Sequence, residues 1–384
     1  MKKQLLTTTA LVAAGVLVVS GPALAQKSGK PTLTLGGEST QIFGVGNNDD
    51  AYDAINGQRV GFDQHSDGEI FFNGAVTLDN GIKIRTRVEL ESNTESNTGG
   101  ETANVAHTLQ GDTIDEHWMR ISGEFGEVRL GSADAAAQAM TTGYLATWNT
   151  NVALNLAFDT GDWVTNPAAV STSTVGRVDL TSDGELISYF TPRFAGFQAG
   201  LSYIPSADED VNNQRALSGG NADYEGWSMG LNYEGKFSGV GVGVAVGYNT
   251  MNESTVGQED PEVWGGGIRL DFSGIRLSAS YVDRDDQKTA GVTTAPGQET
   301  IELGAKYTFG PNAVSIAHLR AESTATTGTA GNGDELKSTF ISYRRTLGPG
   351  VSWQLAAIFA ANLSGLKGTA ISISKSGHSC PTPR

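Results

Sequence analysis

The chain has 384 residues, a formal net charge of −16, 50 glycines and one cysteine, Cys380. So acidic a balance excludes nucleic acid as a partner, because phosphate contacts need clustered Lys and Arg, and a lone cysteine excludes an intramolecular disulfide. Glycine at roughly 13%, about twice the usual 7%, suits tight turns and crowded strand faces, and a hydrophobic content of 38% suits strands with one polar face.

Lys2 and Lys3, an apolar run centred on Leu11 to Val19, then Pro22 and the small-x-small sequence Ala23, Leu24, Ala25 read as a secretory signal peptide cleaved after Ala25. Residues 1–25 are therefore read as a leader and 26–384 as one domain, whose charge without Lys2 and Lys3 is −18. No later stretch offers the ~18 consecutive apolar residues of a spanning helix. If the mature chain lives in a membrane, it does so as a closed barrel.

From Thr32 the residues alternate, with Leu33, Leu35, Gly37 and Phe43 on one face. Such a period of two predicts a strand with unlike faces. Ile70, Phe72, Gly74, Val76 and Leu78 form a second such face. Asp79, Asn80 and Gly81 read as a tight hairpin turn, since Asn-Gly supplies positive φ.

The cleanest alternation follows, with Ile82, Ile84, Thr86, Val88 and Leu90 on one side and Lys83, Arg85, Arg87, Glu89 and Glu91 on the other. One of these faces belongs in an apolar medium. The other carries charges that only water or counter-charges satisfy. His117, Met119 and Ile121 then face away from Glu116, Trp118 and Arg120, and Val128, Arg129 and Leu130 lead into a long break from Ser132 to Gly184.

That break is on the order of three times the ~15 residues beyond which structureless loops are usually functional. It opens on small helix-prone residues, Ala133 to Met140, and carries Asp134, Asp159, Asp162, Asp179 and Asp183. If the flanking strands close into a hollow barrel, the loop can fold inward and narrow the lumen.

Beyond Glu185 the alternation resumes in sets such as Phe197, Ala199, Leu201, Tyr203 and Val240, Val242, Val244, Val246, Tyr248. Fifteen strands are legible up to Phe359. Short connections (273–274, 310–312, 347–350) alternate with long polar ones (206–222, 249–261, 284–298, 321–334), the layout of an outer-membrane barrel. Aromatic residues close the apolar faces near the turns, as interface girdles do.

The segments Phe125–Met140 (FGEVRLGSADAAAQAM), Glu185–Pro205 (ELISYFTPRFAGFQAGLSYIP) and Ile341–Trp353 (ISYRRTLGPGVSW) make the chain resemble the sixteen-stranded general diffusion porins of Gram-negative bacteria, alphaproteobacterial type, over about Thr32 to Phe359. The resemblance implies an all-β transmembrane antiparallel barrel with the third loop folded into the pore. It also implies a homotrimer in the outer membrane, among lipid and lipopolysaccharide, passing ions and small hydrophilic solutes. Acidic residues of the loop would face basic wall residues, here Lys83, Arg85, Arg87, Arg120 and Arg129. From the charge of −18, modest cation selectivity is expected, reduced by neutralising Asp159 and Asp162.

One departure concerns the last strand. Relatives end on an aromatic residue, whereas this chain ends Ser379, Cys380, Pro381, Thr382, Pro383, Arg384, and two prolines cannot serve a central strand. The expectation is that an altered terminus near His378 removes the sixteenth strand, with Thr369–Ser374 as a short alternating remnant.

Other chemistries find little support. His65, His107, His117, His318 and His378 show no metal spacing, and Gly239, Gly241, Gly243 and Gly247 alternate with valines instead of opening a helix. No cofactor and no enzymatic activity are expected. Acidic groups at Asp49, Asp50 and Asp53, at Asp208, Glu209 and Asp210, and at Asp283, Asp285 and Asp286 are of the kind that holds Ca²⁺, with solvated loop charge as the plainer reading. A solute-specific outer-membrane channel and a surface β-protein acting in adhesion are the alternatives.

Overall fold

A computed structural model of the protein describes residues 29–48, 61–91, 114–153, 169–171, 175–181, 183–205, 225–252, 257–289, 292–324, 334–362 and 367–377. The signal-peptide reading, Asp159, Asp162, the acidic groups at 49–53 and 208–210 and the tail from His378 lie outside the described residues.

The first five strands are β1 (Thr32–Asn48), β2 (Phe62–Thr77), β3 (Lys83–Glu91), β4 (Ile114–Gly123) and β5 (Gly126–Ser132). The long loop then contributes α1 (Ala136–Thr141), a 3₁₀ turn (Thr142–Tyr144) and α2 (Ala146–Thr150). After it come β6 (Glu185–Phe190), β7 (Phe197–Ile204), β8 (Glu225–Phe237), β9 (Val240–Asn252), β10 (Glu262–Phe272) and β11 (Ile275–Arg284). A small hairpin, β12 (Gln287–Thr289) with β13 (Val292–Ala295), stands where the sequence suggests only a polar loop. The series ends with β14 (Gln298–Phe309), β15 (Asn312–Ser323), β16 (Glu335–Gly348), β17 (Val351–Asn362) and β18 (Lys367–Gly377).

Sixteen of these strands pair antiparallel with their neighbours into a closed barrel, β14 following β11. The expected loss of the last strand is corrected here. β18 runs in register with both β17 and β1, and includes the Thr369–Ser374 segment. The prolines that argued against it lie beyond its end, so no ladder bond is lost to them, and no backbone edge is left open to lipid.

Strand β8 shows how the sequence makes this wall. Trp227, Met229 and Leu231 are exposed, while Gly226, Ser228, Gly230 and Asn232 are buried. Apolar side chains thus face outward and small or polar ones inward, the inverse of a water-soluble sheet and the arrangement a lipid-facing barrel needs. Aromatic pairs mark the two rims. Tyr203–Trp227 and Trp264–Tyr281 lie toward the long loops, and Phe197–Tyr233, Tyr307–Phe309 and Tyr343–Trp353 toward the short turns.

The short turns depend on glycine. Ala195–Gly196, Ser238–Gly239 and Ser273–Gly274 all take φ between 48° and 91°, so each pair has the two left-handed residues of a type I′ hairpin. At Asn80–Gly81, by contrast, only Gly81 has positive φ. Asn80 Oδ1 accepts the Ile82 N–H at 3.1 Å, an Asx turn, and Leu78 N–H donates to Ile82 O at 2.8 Å, so the expected tight turn at Asp79, Asn80 and Gly81 is a three-residue hairpin loop.

Candidate functional site

The described parts of the break (132–153, 169–171, 175–181 and 183–184) lie inside the barrel, and the wall is built to receive them. Gly200, Gly230, Gly247 and Gly265 are register neighbours across β7 to β10. A Cβ at Gly230 would lie 2.5 Å from Met140 Cβ and 2.9 Å from Ala136 O, and one at Gly247 would lie 3.0 Å from Ala137 Cβ. Gly200, Gly230 and Gly247 of this belt make the groove in which α1 sits, and Gly265 faces Val178 of the loop, which accounts for part of the glycine excess.

Neither loop helix caps its own N-terminus; the wall does so. Ser202 Oγ and Ser228 Oγ accept the Ala136 and Ala137 N–H groups, each at 2.8 Å. At α2, Ser280 Oγ accepts Ala146 N–H at 2.9 Å and Glu302 Oε2 accepts Thr147 N–H at 3.1 Å. Ser280 Oγ in turn donates to Glu302 Oε2 at 2.6 Å. At the other end, Asn149 O accepts Lys306 Nζ at 2.8 Å and Arg276 Nη1 at 3.4 Å. The end groups a helix leaves unbonded are therefore matched by wall acceptors at one end and wall cations at the other.

Apolar contacts extend this seam. Val170 and Val175 of the loop pack with Leu319, Leu336, Phe340 and Ile358 of β15 to β17, and Leu145 and Val178 with Val263 and Val282. Full burial of such side chains contributes about 1.5–3 kcal/mol each. These strands are apolar on both faces, outward to lipid and inward to the loop. Period-two reading finds only the outward sets.

The loop thus covers the inner wall from β6 round to β17, and the arc from β2 to β5 faces the remaining lumen. On that arc Arg85, Arg120 and Arg129 are register neighbours on three adjacent strands. The Arg120 guanidinium lies 3.8 Å from the Trp118 ring. Arg129 reaches Glu127 at 3.5 Å and donates to Asp134 O at 3.4 Å. Arg87 pairs with Glu89 at 2.7 Å and lies over Phe71. Lys83 and Arg85 are exposed, without a partner among the described residues.

The described loop acids do not line this arc. Asp179 is buried, its Oδ1 accepting Thr181 N–H at 3.2 Å and Asn249 Nδ2 at 3.3 Å. Asp134 and Asp183 sit with it where the loop leaves and rejoins the wall. Burial, then the charges of Asp179 and Glu116, raises the Asp134 carboxyl to about 7. Burial, then Asp134, Asp115 and Glu116, raises Asp183 to about 9.

Both groups keep their protons in the folded protein at a pH where the unfolded chain has released them. The folded state then binds more protons than the unfolded, so stability falls as pH rises from about 4 to about 9. Arg129 and Arg177 temper the effect at Asp134 without reversing it. Asp183→Asn removes the share of this loss that Asp183 contributes, and thermal unfolding followed against pH should show the variant overtaking the wild type progressively above pH ~4. Parallel curves would contradict the assignment.

Charge is segregated along the axis. Glu69, Glu91 and Asp115, at the long-loop end, bring one carboxylate oxygen each within 4.8 Å of one another. Asp286, in one of the acidic groups weighed for Ca²⁺, is engaged as a loop tie, accepting Gly297 N–H at 2.6 Å and Thr324 Oγ1 at 2.7 Å. Toward the short turns the inner wall carries Arg193, Lys236, Arg269, Arg276, Lys306 and Arg344 against Glu234 and Asp271. Sequence reasoning selected the basic row of β3 to β5 and missed this second group, because its members are scattered over strands whose apolar faces dominate the pattern.

Comparison with known proteins agrees with this architecture. Residues 7–362 match the family model described as Gram-negative porin. The chain is 26% identical over 277 residues to outer membrane porin protein 32 of Delftia acidovorans, covering 71% of this chain and 65%, just under two thirds, of that relative. Among solved structures, the anion-selective porin from Comamonas acidovorans superposes with a TM-score of 0.60 at 15% identity, covering 91% of this chain and 99% of that one. OmpF of Salmonella typhi, solved with daunomycin, gives 0.59 at 13% identity over 90% and 97%.

Proposed function

Because the chain belongs to the Gram-negative porin family, we propose that it forms a water-filled channel in the outer membrane for passive diffusion of ions and small hydrophilic solutes, without bond chemistry. The observation that carries this reading is the described part of the long loop, docked on wall serines, glycines and Glu302 inside a barrel whose outer face is apolar. A loop fixed in this way narrows the lumen without sealing it, and so sets an exclusion size. Assembly as a homotrimer among lipid and lipopolysaccharide, and export on the N-terminal leader, are carried over from the resemblance.

Liposome swelling with uncharged sugars of graded size tests the diffusion reading. Flux should fall steeply with solute size and rise linearly with concentration. Saturation at low concentration would replace it with a solute-specific channel.

Ion selectivity follows the fixed charge along the open arc and not the sum over the chain. With Lys83, Arg85 and Arg120 there, an anion preference supersedes the cation preference expected from −18. Substituting Arg85 and Arg120 by Gln should move the reversal potential in a salt gradient toward the cation side. An unchanged potential would remove these side chains from the selectivity filter.

A further inference from the structure

On the short-turn side of the docked loop, the inner wall and the Ser273–Gly274 turn form an open recess of about 520 Å³, whose rim also carries Phe272 and Ile275. Its floor is a single register row running Lys236 on β8, Gly241 on β9, Asp271 on β10, Arg276 on β11 and Lys306 on β14. Gly241 leaves the centre of the row without a side chain, and the Ser273–Gly274 turn closes the lower edge.

Three cations therefore share a recess with one carboxylate. Asp271 accepts Arg276 Nε at 2.6 Å and lies 3.1 Å from Arg269 Nε, so two guanidinium groups compete for its charge. Among the described residues Lys306 Nζ gives one hydrogen bond, to Asn149 O at 2.8 Å, and keeps two N–H donors. Lys236 is exposed and has no partner among the described residues. Positive charge left uncompensated in a walled recess concentrates anions, and N–H donors on two sides give an oxyanion charge-assisted hydrogen bonds.

We propose that this recess is a binding subsite for small solutes carrying a carboxylate or phosphate group, held between Lys236 and the Arg276–Lys306 side at the turn-side mouth. The cavity lies within the 300–1,000 Å³ typical of small-molecule sites. The inference rests on the diffusion reading and adds to it a station where an anionic solute pauses, partly blocking the current.

The test uses the refolded full chain. Inorganic phosphate and succinate are titrated into the protein in detergent, at fixed chloride, by calorimetry, and each is added to the turn side of single channels in a planar bilayer. Saturable binding of either probe is expected, with a matching concentration-dependent drop in current. Lys236→Gln should weaken binding at least threefold, Lys236→Arg should restore it, and Asp271→Asn should tighten it. Absence of saturable binding in calorimetry, or binding indifferent to both Lys236→Gln and Asp271→Asn, overturns the subsite. A channel that conducts but binds neither probe overturns the subsite alone. A protein that binds but never conducts overturns the diffusion reading and leaves the subsite standing.

Discussion

Replacing Glu302 by Leu should release α2 from the wall and turn a quiet channel into a noisy one. Glu302 is 1% exposed, and its Oε2 is the shared acceptor for the Thr147 N–H at 3.1 Å and the Ser280 hydroxyl at 2.6 Å. Leucine fills the space but accepts nothing, so two buried donors lose their partner at about 1–3 kcal/mol each. That is enough to populate an undocked loop at ten-fold or greater excess over the wild type. Hydrogen exchange of the segment 136–153 should accelerate correspondingly, and open-channel current noise should rise. Glu302→Gln keeps an acceptor oxygen and should stay close to wild type. Equal exchange in the leucine variant and the wild type would show that the loop is held by something else.

Gly230→Leu should act on the other helix and by the opposite means. Even a Cβ at Gly230 falls 2.5 Å from Met140 Cβ, closer than packed carbons approach, and the neighbouring atom is backbone-anchored. Overpacking of this kind typically costs about 1–3 kcal/mol. The strain is relieved by α1 leaving its groove, since the strand ladder of β8 with β7 and β9 is far more extensive. Heat-modifiable migration in detergent gels should therefore show an intact barrel, while hydrogen exchange at 136–141 rises. Gly348 supplies the control: its Cβ would have no atom within 4 Å, and Gly348→Ala should change nothing. Unfolding of the whole barrel by Gly230→Leu would mean that loop and wall form one cooperative unit.

Which parts were legible in sequence follows from what alternation encodes. The bounds of the break, Ser132 and Gly184, meet the end of β5 and the start of β6 without a shift, because lipid demands apolar outward residues on every membrane-crossing turn of the pleat and the loop is free of that demand. The basic face of β3 was legible for the same reason. The inner lining of β15 to β17 was not, because Leu336, Phe340 and Ile358 answer to loop residues 161 to 188 positions away in sequence, Val170 and Val175. Nor was the glycine belt: Gly200, Gly230, Gly247 and Gly265 become one feature only through the register of four strands.

The sixteenth strand illustrates a different limit. Composition after His378 argued for a lost strand, but the sixteenth strand is built from residues before it and runs to Gly377. Alternation in Thr369–Ser374 was the available signal, and its shortness concealed that Lys367, Gly368 and residues 375–377 also pair. Net charge says nothing of placement. A sum of −16 describes the whole chain, whereas the structure sets Glu69, Glu91 and Asp115 toward the long loops and Lys236, Arg276 and Lys306 toward the short turns.

The central claim, a lumen narrowed by a loop held on its wall, is tested most directly by single-channel conductance of the refolded full chain beside the Glu302→Leu, Gly230→Leu double variant, with polyethylene glycols of graded size as lumen probes. The account predicts discrete long-lived steps for the wild type, with a polymer cut-off clearly different from that of the variant. Identical cut-offs, or a wild type that yields no steps under conditions where the barrel is shown to be folded, would contradict it.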